Sequence, residues 1–183
     1  PDLGGELRLR GATSLEDTIE GADFVLNSIR IGGIAGRAAD ERVAIEQGYP
    51  GQETTGPAGI AMGLRTIPVA IEQARLVERL SPDAWLVNFT NPAGMVTEAV
   101  YRHTNFRRFI GVCNIPIGMK MFIRDVLALD EKDTLSIDLF GLNHMVFIRE
   151  VLVNGQSRFA ELLDGVASGR LVAGSVKNIF ELP

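Results

Sequence analysis

The chain has 183 residues, of which 46% are hydrophobic and 22% are charged, as is ordinary for a globular protein with a sizeable core. Its formal charge of −5, with 18 basic residues scattered along the sequence, argues against nucleic acid as a partner. One cysteine excludes an internal disulfide framework, and no apolar run approaches the roughly 18 residues that a membrane span needs. We therefore expect a cytoplasmic protein that does not bind membranes.

The first part of the chain alternates between helix and strand signals. Residues 6–10 alternate like a short strand, and Ser14 followed by Asp17 is typical of a helix start. Residues 24–31 form an apolar run rich in branched side chains, which predicts a strand buried on both faces of a parallel sheet. Glycine and proline interrupt any period in residues 36–63, so a long functional loop is expected there.

The alternation continues through the rest of the chain. Further strands are predicted at residues 85–89, 108–113 and 134–142, and helices at residues 64–80, directly after Asn91-Pro92, and at 116–129. This order is typical of βαβ units, so we predict an α/β fold with a Rossmann-like, doubly wound and mostly parallel sheet. Residues 145–153 and the Asn154-Gly155 turn look like half of a hairpin, and the tail to residue 183 has a weak helical pattern. We expect an incomplete α+β region to begin at residue 145.

Polar residues follow the predicted strands at four places. They lie in residues 28–37, 88–91, 113–114 and 143–144. Turn formation alone would explain asparagine and glycine after any one strand. Ligands of open α/β sheets bind beyond the carboxyl ends of the strands, so four such segments favour a ligand site at this edge.

The only cysteine, Cys113, and one of the two histidines, His144, each follow a predicted strand. Thiolate and imidazole are metal ligands, and two protein ligands would leave positions open for substrate, as a catalytic metal requires. Their spacing is not that of a closed zinc motif. A buried structural thiol and a hydrogen-bonded structural imidazole therefore stay as the alternative.

Charged side chains surround the Gly32-Gly33 turn. Arg30, Arg37 and Arg42 carry guanidinium groups that can clamp an anionic substrate or pair with nearby carboxylates at the surface. Glu53, in a glycine-rich segment, is a candidate proton shuttle, a support for a ligand, or an acceptor that tethers its loop. The glycines of this turn lack the Gly-x-Gly-x-x-Gly spacing of a dinucleotide fingerprint.

Short segments along most of the chain carry a family resemblance. In order, they are Gly21–Val25, Ile31–Arg37, Gly51–Gly56, Asn88–Pro92, Val112–Pro116 and Gly141–His144. Together they strongly resemble glycoside hydrolase family 4, an NAD-dependent exception among glycosidases. Cysteine followed by asparagine, with proline two residues later, is most similar to the members that cleave 6-phospho-β-glucosides. Relatives acting on α-linkages tend to carry another residue after the cysteine.

The resemblance implies an enzyme that needs NAD and a divalent metal, typically Mn²⁺. Cys113 and His144 would be the protein ligands of this metal, and sugar hydroxyls and water would fill the remaining positions. Because a thiolate is softer than the ligands that manganese prefers, the residue types alone do not select manganese over another divalent ion.

The implied substrate is a phosphorylated disaccharide or an aryl β-glucoside 6-phosphate. Arg37 would bind its phosphate, Asn91 and Asn114 would position the sugar, and Glu53 would be a catalytic acidic residue. Ile31 and Asn91 would contact NAD. The implied reaction oxidises sugar C3, eliminates the aglycone, adds water and reduces C3 again.

Two parts of the family's machinery have no counterpart in this chain. The N-terminal glycine-rich turn is not found, and neither Tyr49 nor Tyr101 lies where the family's C2 base, usually a tyrosine, is expected. Residues 1–144 would then be a partial NAD-binding Rossmann-like domain, and residues 145–183 the start of a C-terminal substrate and oligomerisation domain. We expect the full-length protein to be a homo-oligomer and the isolated chain to be inactive.

Two alternatives stay open at this point. A relative of lactate or malate dehydrogenase would share the order of strands, Asn-Pro segment and loops, but its catalytic histidine would precede a glycine, whereas Met145 follows His144. A folded remnant that binds a ligand or partner without catalysis is the non-enzymatic alternative.

Overall fold

The computed structural model of the protein describes residues 8–142 and 144–170. The chain divides into two compact units, Pro1–Val112 and Cys113–Pro183, and each unit has a buried apolar core of its own. Within the described ranges, no helix combines the length and the apolar character needed to span a membrane. Of the predicted strand at 6–10, residues 8–10 have no regular structure and the others lie outside the described residues.

The first unit contains a parallel sheet whose strands follow the order β1-β2-β3. The strands are β1 (Phe24–Asn27), β2 (Trp85–Asn88) and β3 (Phe109–Gly111). The helices of this unit are α1 (Leu15–Ile19), α2 (Gly33–Glu46), α3 (Gly56–Leu80) and α4 (Ala93–His103). The α/β fold class with a parallel sheet is thereby confirmed, and all strand carboxyl ends of this sheet meet at one edge.

The core of the first unit forms where α3 and α4 pack against one face of the sheet. Its members include small and branched residues of the helices and larger side chains of the strands: Ala70, Ala74, Val77, Val96, Val100, Leu86 and Phe109. Small residues along α3 let the helix approach its neighbours closely. The predicted helix start is confirmed, since the amide of Asp17 donates to Ser14 Oγ at 3.2 Å.

The prediction of a long irregular loop over residues 36–63 is wrong. Helix α2 already covers Gly33–Glu46, and α3 begins at Gly56 rather than at residue 64. The apparent helix breakers sit at the ends of these helices, where they are tolerated. Pro57 lies in the first turn of α3, whose amide hydrogens have no intrahelical partner in any case. Gly59 is required by packing, because a Cβ atom there would lie 2.7 Å from the carbonyl of Thr54.

The first strand is shorter and more exposed than predicted. Strand β1 ends at Asn27, and its side chains alternate in exposure, with Phe24 67% and Leu26 79% exposed. The prediction of burial on both faces is therefore wrong. Val25 packs against the core, whereas the side chains on the opposite face of β1 are largely exposed.

The second unit contains an antiparallel sheet with the strand order β4-β5-β6. Its elements are α5 (Ile115–Val126), β4 (Leu135–Leu142), β5 (Met145–Val153), β6 (Gln156–Ser157) and α6 (Phe159–Ala167). The strand predicted at 134–142 is found, but as part of this hairpin sheet and not of the parallel one. A two-residue connection allows an antiparallel hairpin, whereas a parallel neighbour needs a long crossover.

The core of the second unit lies between the sheet and the helices α5 and α6. It is built from branched side chains, namely Ile123, Leu135, Val151, Val153 and Leu162. The packing units divide after Val112, while the domain boundary expected at residue 144 falls at the turn between β4 and β5. Most of the tail's helical signal corresponds to α6, and residues 171–183 lie outside the described residues.

Candidate active site

Glu53 is the centre of a polar cluster in the first unit. Arg30 Nη1 donates to Glu53 Oε2 at 2.5 Å, and Arg37 Nη1 lies 3.4 Å from the same oxygen. Asn91 Nδ2 donates to the other oxygen, Oε1, at 3.2 Å. Both carboxylate oxygens therefore have partners, and the structure brings together four residues that the sequence singled out separately.

The elements of the fold explain why these side chains meet. Arg30 follows β1 and Asn91 follows β2, so both emerge at the carboxyl edge of the parallel sheet. Arg37 lies in the second turn of α2, and Glu53 lies in the segment that leads into α3. The edge at which ligands of open α/β sheets bind is thus lined by these residues.

The charges around Glu53 determine its protonation. Burial opposes its ionisation, but the hydrogen bond and charge of Arg30, the hydrogen bond of Asn91 and the charge of Arg37 outweigh this, so the pKa of Glu53 is below its ordinary value. The hydrogen bond with Glu41, at 2.8 Å, raises the pKa of the Arg37 guanidinium. In this arrangement Glu53 is an ionised acceptor at neutral pH, and not a proton donor.

A cleft of about 210 Å³ lies beside this cluster. Its polar lining comes from Ser28, Arg30, Glu53, Thr90 and Asn91, and its apolar lining from Ile29, Met62 and Phe89. Such a mixture suits a small polar ligand that also presents an apolar surface.

Two other candidates from the sequence lie near this cluster. Ile31 is half-buried at the end of the loop after β1, and it is not among the residues that line the cleft. Its assignment to NAD binding stays a prediction. Arg42 is exposed on α2, four residues before Glu46.

Arg65 is a contributor that sequence reasoning missed. Its guanidinium forms a bidentate ion pair with Asp40, with Nη1 at 2.9 Å from Oδ1, and its Nε lies 3.4 Å from the carbonyl oxygen of Ile31. Arg65 thus ties α3 to α2 and to the loop after β1. Arg65 lies inside the helix predicted at residues 64–80, where an arginine gives no signal of a particular partner.

The second unit brings Cys113 and His144 together. Cys113 Sγ lies 3.5 Å from His144 Nε2, and 3.7 Å from Oδ1 of Asn114. Cys113 stands just before α5, and His144 stands in the turn between β4 and β5. Both side chains are half-buried, while Asn114 is exposed. Asn143, the other residue of this turn that the sequence singled out, lies outside the described residues.

This pair fits a metal ion with open coordination positions. Metal–sulfur and metal–nitrogen bonds of about 2.3 and 2.0 Å add up to more than the separation of 3.5 Å, so one ion can contact both atoms. Within residues 8–142 and 144–170, no group of three or more histidine, cysteine, aspartate or glutamate side chains could hold a metal. A closed structural site of such side chains is therefore not formed by the described residues.

Gly141 shapes the hairpin that carries His144. Its φ is +123°, and a Cβ atom at this position would lie 2.3 Å from the carbonyl oxygen of Met145. His144 itself has a φ of +63°. The close approach of β4 and β5 at this point needs glycine, because a side chain would separate the two backbones.

Comparison with known proteins assigns the chain to a family. The family described as "Family 4 glycosyl hydrolase" matches residues 2–129. The chain belongs to glycosyl hydrolase family 4. This confirms the resemblance carried by the short sequence segments, and it favours that family over the alternative of a lactate or malate dehydrogenase.

The relatives of this family 4 chain are longer than the chain itself. It is 63% identical over 182 residues to the 6-phospho-beta-glucosidase of Escherichia coli (strain K12). This alignment covers 100% of the chain and 40% of the relative. It is 46% identical to the probable 6-phospho-beta-glucosidase of Bacillus subtilis (strain 168), covering 88% of this chain and 36% of the relative. The chain therefore spans less than half the length of these relatives.

A solved structure of the family has a similar fold. The 6-phospho-beta glucosidase from Thermotoga maritima, solved with manganese, NAD+ and glucose-6-phosphate, has a TM-score of 0.77 at 34% identity. The match covers 85% of this chain and 38% of that one. The family 4 assignment thus has support from both sequence and fold.

Proposed function

We propose that this chain is the portion of a 6-phospho-β-glucosidase that holds a divalent metal and the phosphorylated sugar. The observation that carries the proposal is the 3.5 Å approach of Cys113 Sγ to His144 Nε2, with Asn114 directly beside the thiol. Support also comes from the 63% identity to the Escherichia coli 6-phospho-beta-glucosidase. The manganese, NAD+ and glucose-6-phosphate in the Thermotoga maritima structure support the same cofactors and substrate class here.

In the proposed metal site, Cys113 and His144 are the protein ligands. Cys113 would bind as the thiolate, and His144 would bind through a neutral imidazole nitrogen, so metal affinity falls as either group is protonated. Two protein ligands leave positions for sugar oxygens. The exposed amide of Asn114 would hydrogen-bond to the sugar and hold it next to the metal.

In the proposed sugar and cofactor site, Arg37 binds the 6-phosphate. Its guanidinium contacts the carboxylates of Glu41 and Glu53, and a phosphate would offer it oxyanion partners of the same kind. Asn91 would contact both the sugar and NAD, and the backbone near Ile31 would contact NAD.

The proposed chemistry combines redox and metal catalysis. When bound, NAD would accept and return a hydride at sugar C3, and a divalent metal would stabilise the negative charge that develops on sugar oxygens when the C2 proton is lost. The ionised Glu53 orients Arg30, Arg37 and Asn91 around the cleft. It becomes a proton carrier only if the substrate phosphate draws the arginines away from it.

The remaining features of the full-length protein are also part of the proposal. Residues 1–144 would belong to the NAD-binding domain and residues 145–183 to the start of the substrate and oligomerisation domain. The full-length enzyme would be a cytoplasmic homo-oligomer acting on phosphorylated disaccharides or aryl β-glucoside 6-phosphates.

The proposal is tested by assaying the full-length protein on 4-nitrophenyl 6-phospho-β-glucoside with and without NAD and Mn²⁺. We expect hydrolysis that needs both, and a loss of at least about a hundredfold in Cys113→Ser and His144→Ala, since loss of a directly bound ligand exceeds the 10–100-fold effect of its supporting residues. His103→Ala is the matched control, because His103 is an exposed residue at the end of α4. Activity without NAD, or activity unchanged in both site variants, would refute the proposal.

A further inference from the structure

A chain of buried hydrogen bonds connects the ends of β1 and β2. Asn27 and Asn88, the last residues of these strands, are register partners, and Asn27 Nδ2 donates to Asn88 Oδ1 at 3.0 Å. Asn88 Nδ2 then donates to the carbonyl oxygen of Thr90 at 2.9 Å. The backbone amide of Ile29 donates to Thr90 Oγ1 at 2.8 Å. These bonds join the two loops that leave the carboxyl edge of the sheet.

Thr90 lies next to two of the residues that contact Glu53. Its hydroxyl holds Ile29, which directly precedes Arg30, and Thr90 itself directly precedes Asn91. Arg30 and Asn91 are the residues that bind the two different oxygens of Glu53. One side chain therefore fixes the backbone next to two of the partners of the central carboxylate.

Burial makes this arrangement rigid. Asn27, Asn88 and Thr90 are 7%, 0% and 3% exposed. Buried polar groups lose their water and depend on their protein partners, so breaking one bond of this network is costly. A network of this kind suits a site whose geometry must be maintained.

We propose that Thr90 is a positioning residue that holds Arg30 and Asn91 against the Glu53 carboxylate. Thr90 also lines the cleft, but in this role it acts through its two neighbours. Its effect on the partners of Glu53 follows from the hydrogen bonds described above. Its effect on catalysis rests on the proposed function.

The test compares three variants of the full-length protein. Thr90→Val keeps the shape of the side chain but removes the acceptor for the amide of Ile29, and Thr90→Ser keeps that acceptor. Thr66→Val is the matched control, because Thr66 is 0% exposed and its hydroxyl has no hydrogen-bond partner among the described residues. The readout is the titration of the Glu53 carboxyl carbon by NMR, assigned by its disappearance in Glu53→Gln.

In Thr90→Val we expect the pKa of Glu53 to move up toward its ordinary value, since Arg30 and Asn91 are released from the carboxylate. Thr90→Ser restores the wild-type titration, and Thr66→Val leaves it unchanged. An unchanged titration of Glu53 in a folded Thr90→Val protein would overturn the inference, as would an equal shift in Thr66→Val. If Thr90→Val does not fold, Thr90→Ala is judged by the same titration.

Kinetics on 4-nitrophenyl 6-phospho-β-glucoside give the second readout. Thr90→Val should raise KM about tenfold, the size expected for one lost hydrogen bond, with rescue by Thr90→Ser. If Glu53 responds but the wild-type protein does not hydrolyse this substrate, the proposed function fails and the positioning role stands. If the wild-type protein hydrolyses it while Glu53 does not respond, the positioning role fails alone.

Discussion

Glu53 pairs with two arginine side chains of the first unit, Arg30 and Arg37. Its side chain is 17% exposed and faces Arg30 and Arg37, and Asn91 binds its second oxygen. Replacing its charge leaves two guanidinium groups without their shared counter-ion. Because the pKa of Glu53 is lowered in the folded protein, the stability that this carboxylate contributes depends on pH.

Glu53→Gln is expected to lower the free energy of unfolding by about 1.5–3 kcal/mol at pH 7, the range for hydrogen bonds to charged groups. A carboxyl group whose pKa is lowered by folding stabilises fully above its unfolded pKa, here near 4.5, and this contribution is lost as the pH falls through the folded value. The difference between wild type and variant should therefore be constant from about pH 6 to 8 and shrink below about pH 4.5.

Urea unfolding of both proteins across this pH range measures the difference. Glu98→Gln is the control, because Glu98 is 62% exposed in an i,i+4 pair with Arg102 on α4 and should contribute little. A difference for Glu53→Gln that is absent at pH 7, or that grows as the solution is acidified, would contradict the assignment.

At the residue scale, the types of the site residues were predictable but their partners were not. The sequence selected Arg30, Arg37, Glu53 and Asn91 because each lies near a predicted strand end or in a glycine-rich segment. The pairing of arginines with carboxylates depends on which side chains of α2 lie on the same face of that helix. Since that helix was predicted to be a loop, the pairing of Arg65 with Asp40 could not be foreseen.

Among the elements, the hairpin of β4 and β5 carries the most specific consequence. It places His144 in a two-residue turn opposite Cys113, and Gly141 permits the close approach of its two strands. The sequence predicted both strands within one residue, but not that they pair with each other. Strand propensity identifies an element, whereas its neighbour depends on the length of the connection and on which apolar face finds a core.

Gly141→Ala in the full-length protein is expected to weaken Mn²⁺ binding at least about tenfold, because a methyl group would push away the carbonyl of Met145 and displace His144. Gly155→Ala is the matched control. Gly155 also has a positive φ, of +80°, but a Cβ atom there meets no atom within 4 Å. Calorimetric titration with Mn²⁺ measures the effect, and equal losses in both variants would point to backbone strain instead of displacement of His144.

The whole molecule consists of two packing units with separate cores, and it spans 40% of the length of the Escherichia coli relative. The fold class and the family could be predicted from the sequence, because short motifs at strand ends occur in the same order as in the family. The boundary between packing units could not, since it depends on which strands share a sheet. Both proposed metal ligands, Cys113 and His144, lie in the second unit. Metal binding should therefore need only this unit, whereas catalysis should also need residues of the first unit and of the longer protein.

The isolated 183-residue chain is expected to bind Mn²⁺ while showing less than about 1% of the turnover of the longer protein, since a missing catalytic group commonly lowers rates by a hundredfold or more. Binding is measured by calorimetry and turnover with 4-nitrophenyl 6-phospho-β-glucoside and NAD. Cys113→Ser in the same isolated chain should abolish the binding. Comparable turnover by the two proteins would show that neither the glycine-rich turn nor the tyrosine base expected from the family is needed for catalysis.

The exposed face of β1 affects how such an isolated chain behaves in solution. Phe24 and Leu26 are 67% and 79% exposed, and among the described strands β1 pairs only with β2. An apolar strand with one free edge is a template for intermolecular pairing and aggregation. Expression of the chain by itself therefore favours insoluble material, and a charged residue in place of Leu26 is the first substitution that would keep it in solution.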